Sequence, residues 1–486
     1  MTTSIGATAG PPLPGKQESR KHRWLRGRRL VLPAAVVTQG LALVRNMLVA
    51  RLLGPQQFGT AAGLLLASQF LDAALDSGLN KFVLSDRQGS RRSVAATVQF
   101  VAIVRGISAA LLILLFAKPL LHFLAIDLST PAIALLACSP LIGSAVHYDI
   151  VRFQKAGNLG FDSTVQIAGE VCGILCAVTV AYLTGSYIAV LAGWIARSLA
   201  QVTVSHLLAD RPYEVKLSRA TAARIIRYSS PLLINGPLLF LSVQADRVMV
   251  AKLLGTLDLG IYAAALVLVS SPATVALRAT GTTFLPMIAT ARFTPAGADQ
   301  EIHGLRAIAL VGCLLMMFGF GLVGPAAIPF LYGGRFQTEA SVIAAIGVLQ
   351  AIRFVRVWPS TQALANGHTL LELSSNLIRL VGVPLAILAV AHGYGLFGLV
   401  AAFCVGEFVS LAFSTIWLAV LSGHLTRTFV ALASVAAVAL TTAHAWLGTD
   451  PIRGWAIATL AFAVAMALTF VPMLKAVRNL WSPAEK

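Results

Sequence analysis

The sequence predicts an all-α integral membrane protein, with about fourteen transmembrane helices in two pseudo-symmetric six-helix lobes followed by two C-terminal helices. Three observations carry that prediction. Hydrophobic residues make up 57% of the 486 and charged residues only 12%, with a mean hydropathy of +0.81, far from the mix of a soluble domain. The apolar runs are long enough to cross a hydrocarbon layer roughly 30 Å thick. A phrase also recurs. Val49-Ala50-Arg51-Leu52-Leu53-Gly54, closed by Phe58-Gly59, returns as Val250-Ala251-Lys252-Leu253-Leu254-Gly255, closed by Leu259-Gly260. Each copy ends one apolar run and opens the next, as expected of duplicated bundles.

In chain order, residues 1–30 are Gly/Pro/Thr-rich and then basic, with Lys16, Arg20, Lys21, Arg23, Arg26, Arg28 and Arg29. They lack a small-residue cleavage site, so they read as a disordered basic cytoplasmic tail before an uncleaved first span. The N-lobe, 31–210, is expected to hold spans at 31–51, 58–80, 93–117, 131–150, 161–183 and 186–207. The C-lobe, 211–425, repeats the pattern at 229–252, 259–288, 306–331, 341–365, 370–391 and 396–421. Two more spans, 428–447 and 453–474, fall in the last segment, 426–486. Pro231 and Pro237 should bend or break span seven, because proline removes a backbone donor and crowds the preceding turn. Trp358-Pro359 should kink span ten.

Lys and Arg fix the orientation. With the N-terminus inside, those in inner loops outnumber those in outer loops by roughly five to one, as the positive-inside rule requires. Both termini are then cytoplasmic, and the lobes are parallel repeats about an axis along the membrane normal, a plan used by secondary transporters. The net charge of +18 comes without an aromatic-rich basic motif or zinc-finger spacing, which argues against nucleic acid. Cys172 and Cys176 share a helix face but have no ligand partners in the sequence, so they read as packing residues and no metal or cofactor is expected. Walker, GxSxG and HExxH motifs are missing, and His147 near Asp149 and His368 near Glu372 are too isolated for acid–base work. The chain does not read as an enzyme.

The stretch Ala50-Arg51-Leu52-Leu53-Gly54-Pro55-Gln56-Gln57-Phe58-Gly59, with Leu75-Asp76-Ser77-Gly78-Leu79 beyond it, resembles the opening of polysaccharide-biosynthesis flippases of the multidrug/oligosaccharidyl-lipid/polysaccharide exporter superfamily. Asp246-Arg247, Leu253-Leu254-Gly255 and Leu259-Gly260-Ile261-Tyr262-Ala263-Ala264-Ala265 resemble the same family's second lobe. The resemblance implies export of undecaprenyl-diphosphate-linked oligosaccharide across the bacterial inner membrane, for exopolysaccharide or O-antigen synthesis. It also implies a V-shaped pair of lobes with alternating access. Membrane lipids are then partners, with a polysaccharide polymerase and chain-length machinery as further ones. The alternatives are a peptidoglycan lipid-precursor flippase, a cation-coupled drug antiporter of the same fold, and a polysaccharide polymerase or ligase.

Ionisable residues inside spans are expensive and therefore functional candidates. Arg45, Arg105, Arg197, Arg247, Arg278, Arg353, Arg356 and Arg379 outnumber the clearest anions, Asp72, Asp76, Asp246, Glu170 and Glu407. A cationic lumen suits a diphosphate, which the planar guanidinium grips through two oxygens. Arg45, Arg278, Arg353 and Arg356 are the expected substrate contacts, and Asp246, Arg247, Asp72 and Asp76 the gating or ion-coupling candidates. Asp72, Asp76 and Asn80 are spaced as one stripe on span two. Aligning Gly54 with Gly255 sets Arg45 opposite Asp246, which suggests an outer gate between them.

Overall fold

The computed structural model describes residues 31–75, 78–126, 130–291, 295–366, 368–422, 425–447 and 450–481. The described residues are helical almost throughout. In order the helices are α1 (Val31–Ala74), α2 (Leu79–Ser85), α3 (Arg92–Phe123), α4 (Thr130–Gly143), α5 (Asp149–Lys155), α6 (Gly160–Thr184), α7 (Ile188–Leu208), α8 (Arg219–Leu254), α9 (Thr256–Ala291), α10 (Pro295–Tyr332), α11 (Ala340–Val355), α12 (Val357–Ala365), α13 (Thr369–Ile378), α14 (Gly382–Ala391), α15 (Gly395–Ser422), α16 (Leu425–Leu447) and α17 (Pro451–Trp481). Among the described residues, eleven stretches are long and apolar enough to cross a membrane.

The first two expected spans are the arms of α1, and the loop expected between them shrinks to one residue. Gly54 has φ 76°, a conformation that costs glycine little, and Pro55 opens the second arm, where a missing N–H is harmless. The second phrase repeats the device, with Gly255 at φ 88° between α8 and α9. Five residues past each break the two arms cross. A Cβ on Gly59 would lie 1.7 Å from the Thr256 carbonyl oxygen, and one on Gly260 would lie 1.9 Å from that of Pro55. The offset that relates Gly54 to Gly255 also carries Pro55 to Thr256 and Gly59 to Gly260. The pseudo-symmetry axis therefore passes through this glycine crossing.

Elsewhere α1 meets α8 along a seam sealed by the Phe70–Phe240 ring pair, 5.5 Å between centroids, and by Gln244 donating to Gln69 at 2.8 Å. Several boundaries differ from expectation. Span two ends at Ala74, and Gly78 in a left-handed turn starts α2, so Asn80 sits on a separate helix from Asp72. Helix α8 runs unbroken from Arg219 to Leu254 through both prolines. Span four divides into α4 and α5. Span ten breaks at Arg356 between α11 and α12; Pro359 cannot donate to the Val355 carbonyl one turn back. Span eleven breaks into a 3₁₀ turn at Arg379–Val381, where Pro384 cannot donate to the Leu380 carbonyl one turn back and the Gly382 N–H turns to the Arg379 and Leu380 carbonyls instead.

The connection between α7 and α8 is extended and stitched to the N-lobe. Asp149 accepts from the backbone N–H groups of Asp210 (2.9 Å) and Arg211 (3.3 Å), Lys216 N–H donates to Ala96, and Ser218 N–H donates to Thr97. Burial would raise the Asp149 carboxyl, but the hydrogen bond and charge of Arg152, with the Asp210 amide and Arg211, hold it below the usual carboxylate range. This basic face also carries Arg224 paired with Asp86 at 2.8 Å.

Candidate functional site

Among the described residues, the long helices of each lobe hold a buried charge centre, apart from the Asp149 cluster on α5. In the N-lobe, small residues draw α6 and α7 together. A Cβ on Gly193 would lie 3.0 Å from the Gly173 carbonyl oxygen, and one on Gly169 would lie 2.6 Å from the Gln201 side chain. That closeness delivers Arg197 to Glu170 at 2.7 Å, while Arg45 of α1 reaches the other carboxylate oxygen at 2.8 Å. Glu170 is 2% exposed, so its desolvation is offset by two guanidiniums. Below it on the same face, Gln166 accepts from Arg197 at 3.4 Å and from Gln201 at 3.0 Å.

In the C-lobe the broken helices supply the site. Glu407 on α15 accepts from Arg353 (2.7 Å) and Arg356 (3.0 Å), with Arg379 at 3.7 Å. Gly406 makes this possible, since a Cβ there would lie 2.6 Å from the Arg379 carbonyl oxygen. Arg353 also donates to Asp246 at 3.0 Å, and Tyr262 donates to the same Asp246 oxygen. Arg356 is further held by Ser375 and Asn376. Several buried atoms here have no partner: Asp246 Oδ1, Arg356 Nε, and Arg379 Nε and Nη2.

Between the lobes is a cavity of about 130 Å³ whose lining includes Arg45, Asn46, Trp194, Phe58, Leu259 and Arg247. One arginine from each lobe thus lines it. A second cavity of about 200 Å³ lies inside the N-lobe, lined by Asn80, Arg105, His147, Asp162, Gln166 and Gln201. A third, of about 410 Å³, brings Asp72 near Ser68, Arg105 and Ser139.

The sequence-based candidates divide accordingly. Arg45 and Arg247 line the central cavity, whereas Arg353, Arg356 and Asp246 are engaged inside the C-lobe centre. Arg45 and Asp246 do not pair in this conformation; each finds its partner within its own lobe, because Glu170 and Arg353 are closer at hand. Asp76 and the Arg278 side chain lie outside the described residues. Glu170, Arg197, Arg379 and Glu407 were counted as charges within spans but not assigned to a site. The signal that would have grouped them is span order. Spans one, five and six carry Arg45, Glu170 and Arg197, and spans seven, eleven and twelve carry Asp246, Arg379 and Glu407.

Comparison with known proteins agrees with this architecture. The chain is 23% identical over 317 residues to the succinoglycan biosynthesis transport protein ExoT of Rhizobium meliloti (strain 1021), a match covering 65% of this chain and 64% of that protein. The chain thus spans a little under two thirds of that relative's length. Its fold is shared with the lipid II flippase MurJ in an inward closed conformation (TM-score 0.64, 12% identity, 92% of this chain and 100% of that one). It is also shared with an inward-facing multidrug resistance MATE family transporter of the MOP superfamily (TM-score 0.61, 14% identity, 83% and 99%). These relatives are transporters rather than enzymes. The family profile described as "Polysaccharide biosynthesis protein" matches residues 48–341, more than half of the sequence, and the chain belongs to that family.

Proposed function

We propose that the protein is a flippase carrying undecaprenyl-diphosphate-linked oligosaccharide across the bacterial inner membrane by alternating access, for exopolysaccharide or O-antigen synthesis. The observation that carries this reading is the central cavity, where Arg45 and Arg247 approach from opposite lobes among apolar and aromatic walls. A diphosphate offers oxygens to two guanidiniums at once, and a low-dielectric lining strengthens both contacts. A drug antiporter of this fold suits an acidic cavity, and this one is lined by two cations. The face bearing Arg224 and the α7–α8 connection is cytoplasmic on the charge bias of the loops. Arg353, Arg356 and Arg278 enter as contacts made in other conformations of the cycle, with Asp246, Asp72 and Asp76 as gating or coupling groups.

The test is accumulation of lipid-linked glycan in the inner leaflet. Arg45→Ala and Arg247→Ala should each cause it at normal expression, and Lys at either position should restore export only in part, because an ammonium lacks the fork. Undiminished export by the Arg45→Ala, Arg247→Ala double variant would defeat the assignment.

A further inference from the structure

Glu170 joins two compartments. Its Oε2 holds Arg45, which lines the central cavity, and its Oε1 holds Arg197, which continues through Gln166 and Gln201 into the inner cavity of the N-lobe. Asp162, Gln166 and Glu170 follow one another four residues apart on α6, so they form a polar file along one helix face. Helix α6 starts at Gly160 near the basic face, and ten residues of rise place Glu170 roughly 15 Å along it. The groups packed about the carboxylate are Arg45 from α1 and Arg197 and Gln201 from α7, with Gln166 on its own helix. The charges of α5 (Asp149, Arg152 and Lys155) lie at the far, basic-face end of α6.

We propose that Glu170 is a proton-binding site coupled to anion capture: when a diphosphate draws Arg45 into the central cavity, Glu170 takes up one proton from the basic-face side by way of the Gln166–Gln201 cavity. The inference rests on the diphosphate reading of that cavity. The physical reason is local. Each carboxylate oxygen has one guanidinium, and the side chain is 2% exposed. Once Arg45 turns to the anion, Oε2 loses its donor and has little water to replace it, while the incoming negative charge repels the carboxylate. A proton cures both defects, and it is small enough to travel a file of amide side chains and water. The O–H bond forms on Glu170, and the proton comes from solvent. Linkage is reciprocal, so protonation of Glu170 frees Arg45 and favours the anion.

The experiment uses the full chain in lipid nanodiscs and P1-farnesyl-P2-glucosyl diphosphate, a diester with no group titrating near neutral pH. Calorimetry in two buffers of different ionisation enthalpy counts the protons taken up on binding. The wild type should take up about half to one proton per probe, and its affinity should tighten as pH falls, by up to about tenfold per pH unit. Difference infrared spectra should gain the carbonyl band of a protonated carboxylic acid. Glu170→Gln, which mimics the protonated form, should bind the probe with no uptake and no new band. Arg45→Gln gives an independent reading, since Glu170 should then be protonated before any probe is added. Binding by the wild type without proton uptake overturns the proposal while leaving the cavity assignment intact, as does unchanged uptake by Glu170→Gln. A wild type that does not bind the probe overturns both.

Discussion

The charged centres of the two lobes draw on corresponding spans, and the charges those spans carry are reversed in sign. Spans one, five and six set Arg45 and Arg197 about Glu170; spans seven, eleven and twelve carry Asp246, Arg379 and Glu407, with Glu407 3.7 Å from Arg379 and Arg353 of span ten joining Glu407 to Asp246. The C-lobe adds Arg353 and Arg356, placed at or beside a helix break. The order of the spans is therefore shared while the sign of the charge on each is not. The N-lobe centre opens toward a cavity at each end of its ion-pair chain, whereas the C-lobe centre is closed by Ser375, Asn376 and Tyr262. On the function proposed above, the first centre exchanges partners when the anion draws Arg45 away, and the second has to loosen before Arg353 or Arg356 meets the substrate.

That contrast can be broken, and the largest effect should come from the closed centre. Glu407→Ala leaves three guanidiniums facing each other out of water, and removing one member of a buried pair costs about 3–5 kcal/mol. Denaturant unfolding in micelles should show this loss, with Glu407→Gln milder. In the open centre Glu170→Gln should destabilise less, because it frees two guanidiniums rather than three and Arg197 is 32% exposed. Equal losses at Glu407 and Glu170 would erase the distinction.

The next effect is steric. Gly59→Ala sets a methyl group into the Thr256 carbonyl and Gly260→Ala one into that of Pro55, so either should push α1 and α9 apart. Overpacking of this kind costs about 1–3 kcal/mol. Cysteine cross-linking between the arms should fall equally in both variants, and an effect of only one would show that the crossing is not symmetric.

A loss of similar size, but one that depends on pH, is expected at Asp149. Its native carboxyl titrates below the ordinary range, so its contribution is complete above the unfolded value, near 3.9, and lost as pH falls through the native one. Asp149→Asn should therefore cost about 1.5–3 kcal/mol at neutral pH and little in acid. Hydrogen exchange at the Asp210 and Arg211 amides would report it. Least of all, Arg453→Ala breaks only an exposed pair with Asp450 and should leave unfolding unchanged.

Much of the fold was legible because apolar runs and glycine–proline punctuation are local signals. The duplicated phrase located both chain breaks, Gly54 and Gly255, and the lobes they belong to. What the sequence concealed were consequences of packing. The disturbance of span ten at Pro359 was expected, but whether Pro231 and Pro237 interrupt α8, and whether Pro384 disturbs span eleven, depends on neighbours that re-satisfy the freed carbonyls. Arg353 and Arg356 looked like cavity residues because their spacing gives a shared face, but not what that face meets. Their carboxylate, Glu407, is brought close only by Gly406. Arg247, read as a gating residue, turned out to line the central cavity beside Arg45.

The glycine crossing has a bearing on ancestry. Pro55 and Gly59 meet Thr256 and Gly260 through contacts that exchange under the repeat, which is the signature of an isologous interface. Two copies of a half-length chain would have met in the same way, with no covalent link. Such a homodimer would carry identical charges in both halves, since one gene would encode both. The reversed charges on the corresponding spans could arise only after that gene was duplicated, when each half became free to mutate alone.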